Sequence, residues 1–378
     1  MPNESRHYFD WASTAIPEFP QTDSSSHFGN PSSLHREGRL AKKALESART
    51  LCASVLNVPP ETLYFTSGGT ESNCIVLFSY MARQSGGRIT ASLGEHSSVT
   101  ENLRILDRLG RQTGVIPIDP LGRVTDSILS ETLTKYKNVR FAAIMSVNNE
   151  TGAINDIVNL RKIMVNKEPP IHFHCDMVQA LGKIPIDIAG SGVDSASFSA
   201  HKIGGPRGIG LLYLRKPLEA LYSGGGQEKG IRPGTENVTG ALAMARCLET
   251  RAMPEIVTAE YGKANARRER LVYGLKKFDR CRLIPADCEG DGFSPYIVQA
   301  GFKDIPGEVM TRALDDLGFA VSTGSACSSS RQERPVLAAM GIDEKTAFEG
   351  IRVSQGWSTT DEEIDLLLGA IKEVLKSL

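Results

Sequence analysis

The sequence predicts an α/β fold in which a largely parallel sheet is followed by a second, smaller domain. Three observations predict it. Short apolar stretches alternate with helical or loop segments between residues 62 and 214. The chain has 378 residues, whereas single cores stop growing near roughly 250–300 residues, so two domains are expected. Long, charged helical patterns replace the alternation after about residue 255.

The first predicted element is an amphipathic helix over residues 36–56, where apolar residues recur at three- and four-residue spacing. A short buried strand over 62–66 then runs through a glycine turn into a helical pattern that begins near Glu71. Further strands are predicted over 139–147, 171–175, 194–198 and 209–214. Strands that alternate with helices in this way favour a parallel sheet.

The C-terminal part is predicted to hold long helices. One covers 259–278, and another follows Thr360 and Glu363, whose spacing indicates a capping box. We therefore expect a large domain over 16–255 and a small domain formed by 1–15 together with 256–378.

Composition excludes several classes of protein. The net charge is -1, with 43 Lys and Arg against 44 Asp and Glu, so the basic stripe of a nucleic-acid binder is not expected. The N-terminus has no signal-peptide pattern, and no apolar run approaches the ~20 residues that span a bilayer. Seven scattered cysteines do not resemble a disulfide framework. These features predict a cytoplasmic protein with reduced thiols.

Lys202 and Asp176 are candidates for binding an aldehyde cofactor. Lys202 lies in FSAHKIGGPRGIG (198–210), and a lysine placed there can form a Schiff base, because burial makes its amine neutral and nucleophilic. Asp176 follows a predicted strand, and the carboxyl ends of such strands face the ligand crevice of open α/β sheets. This carboxylate suits the pyridine nitrogen of pyridoxal phosphate (PLP). A solvated lysine and a turn aspartate are the commoner roles of each residue alone.

Ser67-Gly68-Gly69-Thr70 is a candidate phosphate site, since its N–H groups lie at a predicted helix N-terminus. A plain strand-to-helix turn is the alternative. The sequence lacks a GxxxxGK[ST] pattern and a GxGxxG turn after a first strand, which disfavours nucleotide binding. His96, in GEHSSV (94–99), can stack on a flat cofactor and move protons, although most single histidines do neither.

Cys327 lies in STGSACSSS (322–330), where small polar neighbours indicate an exposed, nucleophilic thiol. An incidental cysteine in a serine-rich linker is the alternative.

Arg352, in a predicted strand over 350–354, has the bidentate fork that binds carboxylates, although surface salt bridging is commoner. His172 and His174 alternate along one strand, but no partner pair with zinc spacing accompanies them, so no metal site is expected.

Eight stretches in this order resemble the cysteine desulfurases, fold-type I PLP enzymes related to the class-V aminotransferases. They are FGNPSSLHREG (28–38), FTSGGTESN (65–73), VNNETG (147–152), FHCDMVQALGKIPID (173–187), SFSAHKIGGPRGIG (197–210), GGGQEKGIRPGTENV (224–238), STGSACSS (322–329) and IRVSQG (351–356). The likeness covers nearly the whole chain. It implies a mostly parallel seven-stranded sheet in the large domain and a smaller α+β domain.

The resemblance also implies a role for each matched residue. Lys202 would carry the Schiff base, Asp176 would pair with the pyridine nitrogen, and Cys327 would attack the substrate sulfur. Four further contacts with PLP are implied: Gln179 to the ring hydroxyl, His96 stacked on the ring and moving protons, Asn149 beside the cofactor, and a phosphate site of Gly69, Thr70, Ser199 and His201. Thr235 would complete that phosphate site from the other subunit of a homodimer. Asn149 and Arg352 would bind the substrate carboxylate.

The implied reaction converts L-cysteine to L-alanine and leaves a persulfide on Cys327 for an acceptor protein, such as an iron–sulfur scaffold. The form SGSAC around Cys327 resembles the subgroup that serves iron–sulfur cluster assembly. The segment DWASTAIP (10–17) departs from the usual D-N-A-A-T-T-P, and the stretch before FGNPSS is shorter than usual. The alternatives are a selenocysteine lyase or an aminotransferase, in which Cys327 is unnecessary, and a non-catalytic sulfur-relay module.

Overall fold

The computed structural model describes residues 6–19, 27–82, 86–220, 222–324 and 334–378. Within them the strands are β1 (His7–Tyr8), β2 (Leu63–Thr66), β3 (Arg88–Ser92), β4 (Thr113–Ile116), β5 (Val139–Ala143), β6 (His172–Asp176), β7 (Ser195–Ser199), β8 (Gly210–Leu214), β9 (Cys281–Leu283), β10 (Ile297–Phe302), β11 (Phe319–Ala320) and β12 (Gly350–Ser354). The α-helices are α1 (Arg36–Leu56), α2 (Gly69–Ala82), α3 (Ser97–Arg108), α4 (Asp126–Lys135), α5 (Ile157–Val165), α6 (Ile188–Ser191), α7 (Val238–Arg251), α8 (Pro254–Leu275), α9 (Gly307–Asp316), α10 (Pro335–Ala339), α11 (Glu344–Phe348) and α12 (Asp361–Ser377).

A seven-stranded sheet organises the chain as far as β8, in the order β2-β8-β7-β6-β5-β3-β4. The neighbours from β4 to β7 pair in parallel, and only β8 runs against the rest. The predicted α/β class with a mostly parallel seven-stranded sheet is confirmed. Because β6 and β7 are parallel neighbours, their carboxyl ends meet at one edge, where Asp176 pairs in register with Ser197.

Several predicted elements differ from the observed ones at their ends. The helix over 36–56 and the capping box of Thr360 and Glu363 are confirmed. The strand predicted over 139–147 ends at Ala143, although Ile144 and Ser146 still donate backbone hydrogen bonds to β6. The helix predicted from 259 begins at Pro254 instead, because proline is well tolerated in the first turn. Edge strand β4 was not predicted.

The C-terminal part forms a second core. Strands β9, β10 and β12 make an antiparallel sheet in the order β12-β10-β9, and helices α8 and α12 pack against it with their apolar faces. The N-terminal segment joins this part, because β1 pairs with β11 and Asp10 bridges to Ser354. The domain limits at 15 and 255 stay a prediction. Among the helices of the described ranges, none has the length and hydropathy that crossing a bilayer requires.

Candidate functional site

The predicted phosphate turn lies against the end of β7. Helix α2 begins at Gly69, so the N–H groups of its first residues have no earlier carbonyl in the helix to bind. A Cβ added at Gly69 would lie 2.6 Å from Val178 Cγ2 and 4.0 Å from Ser199 Cβ. A side chain at this position would therefore collide with Val178, while the buried Ser199 lies at van der Waals distance.

Asp176 ends β6 and is only 4% exposed. Its Oδ2 accepts a hydrogen bond of 2.8 Å from Asn73 Nδ2, and its Oδ1 accepts one of 3.0 Å from the backbone N–H of Val178. A buried carboxylate requires such donors, because losing water is costly for a charged group. The predicted acidic group is thus held rigidly at the sheet edge.

Glu95 is a second buried carboxyl near Asp176, and the sequence did not single it out. Its Oε1 accepts from Met145 N at 2.6 Å and from Ser92 Oγ at 2.9 Å. Burial, followed by the negative charge of Asp176, raises the pKa of Glu95 to about 8. Glu95 is therefore neutral at pH 7 and adds no second negative charge beside Asp176.

His96 is the N-cap of α3. Its Nδ1 accepts from Ser98 N at 3.1 Å, and Ser98 Oγ lies 2.9 Å from the same nitrogen. Burial lowers the pKa of His96 below its usual range; the charge of Asp176 opposes this shift, and that of Lys202 adds to it. The neutral ring consequently carries its proton on Nε2, as the bonding of Nδ1 assigns it.

Lys202 and Gln179 converge on one backbone oxygen. Lys202, at the end of a short 3-10 turn after β7, donates from Nζ to Ala12 O at 2.6 Å and to Ser13 O at 2.7 Å. Gln179 Nε2 donates to the same Ala12 O at 2.8 Å. The two predicted cofactor contacts are therefore neighbours, and the divergent N-terminal segment lies directly on them.

Lys183 is a buried cation that the sequence did not single out. It is 3% exposed, and its Nζ donates to Gln179 Oε1 at 2.8 Å. Burial lowers the pKa of Lys183 to about 7, with the charges of Lys202 and Arg352 acting in the same direction. This bond fixes the orientation of the Gln179 amide, because a lysine can only donate.

His201 and Thr235 occupy different surroundings. His201 Nδ1 lies 3.2 Å from Thr14 Oγ1, and burial, followed by the charges of Lys202, Lys183 and Arg207, lowers the pKa of His201 to about 3. Thr235 is exposed and lines a surface depression with Phe28, Gly29 and Asn30. Its arrival in the site of a second copy stays a prediction.

Arg352 is almost completely buried, so the alternative of a surface salt bridge is wrong. Its Nη1 donates to Asn149 O at 2.8 Å and Gly324 O at 2.9 Å. Its Nη2 donates to Asp10 Oδ1 at 2.8 Å and Ser13 Oγ at 2.7 Å. An internal carboxylate therefore already occupies one side of the guanidinium that was predicted to bind the substrate.

Cys327 lies outside the described residues, but both flanks of its segment are anchored. Gly324 on one side accepts from Arg352. Arg334 on the other side donates to Thr323 O and, at 3.3 Å, to Gly350 O. The described ends of this segment, Gly324 and Arg334, therefore both lie near Arg352, the residue predicted to bind the substrate carboxylate.

The residues at this edge fit PLP. The first turn of α2 presents backbone N–H groups beside Ser199, and a Cβ at Gly69 would collide with Val178. The donor and acceptor types match the three ends of the cofactor: an amine at Lys202, a carboxylate at Asp176 and an amide donor at Gln179. Thr70 lies in the first turn of α2, His96 is the N-cap of α3, and the backbone oxygen of Asn149 accepts a hydrogen bond from Arg352.

Four residues that shape the site were missed from the sequence: Asp10, Asn73, Glu95 and Lys183. Only Lys183 had a local signal, its four-residue spacing from Gln179, which places both on one face of a helical turn. The contacts of Asp10 and Asn73 join residues 342 and 103 positions apart, and no local pattern reports them.

Comparison with known proteins identifies the same family as the sequence motifs. The family model described as Aminotransferase class-V matches residues 7–367. A NifS/IcsS protein homolog of Lactobacillus delbrueckii subsp. bulgaricus is 38% identical, with 92% of this chain and 90% of its own covered. The cysteine desulfurase IscS of Dictyoglomus turgidum is 34% identical, with 98% and 95% covered. A solved structure titled NIFS-like protein superposes with a TM-score of 0.88 at 32% identity, covering 99% of this chain and 100% of its own.

Proposed function

The chain belongs to the class-V aminotransferase family, and from that premise we propose that it is a PLP-dependent cysteine desulfurase. It converts L-cysteine to L-alanine and transfers the sulfur to Cys327 as a persulfide, for delivery to iron–sulfur cluster or thio-cofactor assembly. Relatives named cysteine desulfurase match over nearly the full length. The observation that carries the proposal is the convergence of Lys202 and Gln179 on one oxygen, Ala12 O.

PLP, when bound, supplies an electron sink that stabilises negative charge at the substrate α-carbon. Lys202 would hold its aldehyde carbon, Asp176 its pyridine nitrogen and Gln179 its ring oxygen. The phosphate would be held by Gly69, Thr70, Ser199 and His201, with Thr235 contributed by a second copy of the chain. His96 would pack on the ring, with Asn149 nearby.

Proton transfer is assigned to Lys202 and His96. The Nζ of Lys202 would take the α-proton of the substrate, as a positioned amine can when it is neutral. His96 is neutral at pH 7 with its proton on Nε2, so it can donate from that atom. Because the charges of Lys202 and Asp176 both act on His96, the three groups share one electrostatic environment.

Arg352 and Asn149 would bind the substrate carboxylate. The four Nη hydrogens of Arg352 are engaged by Asn149 O, Gly324 O, Asp10 and Ser13. A substrate carboxylate that binds Nη2 would therefore replace Asp10 and Ser13, whereas the buried Nε has no hydrogen-bond partner among the described residues. This exchange substitutes one anion for another, so the buried guanidinium stays paired throughout.

Cys327 is the proposed sulfur acceptor. It follows Gly324 by three residues in the sequence. Gly324 O is itself in contact with Arg352. The last described residue before Cys327 therefore contacts the arginine that would hold the substrate.

We extend the proposal to the assembly and its setting: a homodimer in the cytoplasm that hands sulfur to a scaffold or other acceptor protein. The exposure of Thr235 supports the dimer, because a phosphate contact from that residue requires a second chain to cover it. The large domain over 16–255 would hold PLP, and the small domain would carry Cys327.

The test is turnover of L-cysteine by the PLP-loaded wild type and Cys327→Ala, with bound PLP measured by absorbance in both. Wild type should form alanine with one sulfur per alanine. Cys327→Ala should keep its PLP and lose at least about 100-fold in rate, because the nucleophile is gone. A variant that keeps PLP and releases sulfide at the wild-type rate would disprove the mechanism.

A further inference from the structure

Asn73 lies at the centre of a buried hydrogen-bond network. It is on the first turns of α2 and is 0% exposed. Its Nδ2 donates to Asp176 Oδ2 at 2.8 Å and to Ser98 Oγ at 2.8 Å. Its Oδ1 lies 2.9 Å from His174 Nε2. Both amide hydrogens and the amide oxygen are therefore in use.

The direction of each bond in this network is determined. Burial lowers the pKa of His174 to about 3, with the charge of His172 adding to the effect, so the ring is neutral and carries one hydrogen. That hydrogen lies on Nε2, since Nε2 faces the amide oxygen of Asn73. His174 Nδ1 then accepts from Ser195 Oγ at 2.8 Å. Because His174 donates to the amide oxygen of Asn73, both amide hydrogens are directed to Asp176 and Ser98.

The second amide hydrogen links Asn73 to His96. Ser98 Oγ accepts it, which leaves the hydroxyl hydrogen of Ser98 for His96 Nδ1 at 2.9 Å. One amide group thus binds Asp176 directly and His96 through a single hydroxyl. These are the two residues assigned above to the pyridine nitrogen and to the face of the cofactor ring.

We propose that Asn73 is a positioning residue that fixes Asp176 and His96 relative to each other, oriented in turn by His174. This inference rests on the proposed function and adds a residue to which that function gives no role. Aspartate is nearly isosteric with asparagine but has no hydrogens to donate. Asn73→Asp therefore loses both bonds and sets a carboxylate against Asp176, which disfavours its charged form.

The experiment compares Asn73→Asp with Asn102→Asp. Asn102 also links α3 to α2, because its Nδ2 donates to Cys74 Sγ at 3.0 Å and to Ser98 O at 2.6 Å. It makes no hydrogen bond to Asp176 or His96. PLP is titrated into each apoprotein by absorbance, and cysteine turnover is then measured. Asn73→Asp should bind PLP at least tenfold more weakly and turn over at least 100-fold more slowly. Asn102→Asp should stay within threefold of wild type in both.

If Asn73→Asp stayed within threefold of wild type in both PLP affinity and turnover, the proposal would be overturned. Equal losses in Asn102→Asp would also overturn it.

Ser98→Ala provides a second test if Asn73→Asp does not fold, because it breaks only the branch to His96. Its PLP affinity should stay within threefold of wild type while kcat falls at least tenfold. Unchanged kcat, or equal losses of kcat and PLP affinity, would contradict the positioning role. Failure of the wild type to bind PLP would instead refute the proposed function.

Discussion

The two ends of the site are built differently. The proposed cofactor end, around Asp176, Asn73 and His96, is a network of neutral and charged groups on the edge of one sheet. The proposed substrate end, around Arg352 and Asp10, joins a strand of the second sheet to the N-terminal segment. At the first end Asp176 and His96 are held by fixed internal partners, whereas at the second end an internal carboxylate, Asp10, occupies the arginine proposed to bind the substrate.

The two ends meet different requirements: fixed partners for a cofactor that stays bound, and an exchangeable partner for a substrate that enters and leaves. A cofactor that stays bound through many cycles gains from fixed partners, since no reorganisation is needed at each turn. A substrate that enters and leaves requires an arginine that is never left buried without an anion, because an unpaired buried charge is costly. Asp10, which pairs with Arg352, would meet that requirement between substrates. Variants that change one end at a time separate the two roles.

Lys202→Ala tests the cofactor end and should have the largest effect. Removal of the amine eliminates the covalent attachment and the proposed acceptor of the α-proton, so cysteine turnover should fall by about 1,000-fold or more. Lys216→Ala, at an exposed position after β8, is the matched control and should be unchanged. Steady-state kinetics with added PLP measures both, and a Lys202→Ala enzyme within tenfold of wild type would remove Lys202 from the mechanism.

Arg352→Gln tests the substrate end and should lower kcat/KM for cysteine by about 100-fold, because bidentate binding of a carboxylate is lost. PLP affinity should change by less than threefold, which distinguishes the two ends. Arg270→Gln breaks an exposed ion pair with Asp365 and is the control, with kinetics expected at the wild-type level. If Arg352→Gln lost only PLP affinity, Arg352 would belong to the cofactor end and not to the substrate end.

Asp10→Asn tests whether the internal carboxylate competes with the substrate. Asparagine keeps the shape but not the charge, so KM for cysteine should fall about threefold to tenfold while PLP binding is unaffected. Asp315→Asn, which breaks the exposed pair with Arg6, should leave KM unchanged. An increased KM in Asp10→Asn would mean that Asp10 orients Arg352 for the substrate and does not compete with it.

The pH dependence of folding stability tests the cofactor end through His174. Its pKa is about 3 in the folded chain and ~6.5 when unfolded, so the stability it contributes is complete above pH 6.5 and is lost as the pH falls toward 3. Within that window each pH unit removes about 1.4 kcal/mol. His174→Gln should therefore show a shallower decline in denaturant unfolding between pH 6.5 and 5. Parallel slopes for the variant and wild type would mean that His174 does not titrate as described.

How much the sequence predicts also differs between the two ends. Lys202 and Asp176 follow apolar strands, so local patterns place them at one sheet edge, and the helix over 36–56 follows from periodicity alone. Asn73 and Asp10 bind Asp176 and Arg352, which lie 103 and 342 positions away in the sequence. Their contacts arise from packing between elements, which residue type and spacing do not encode locally.

The most direct test is to locate the sulfur. Purified protein is incubated with PLP and L-cysteine, digested without reductant and analysed by mass spectrometry, with Cys327→Ser treated in parallel. The proposed function predicts one added sulfur on the peptide that contains Cys327, formed together with alanine and absent from Lys202→Ala. Alanine production with the sulfur on another cysteine, or on none, would contradict it.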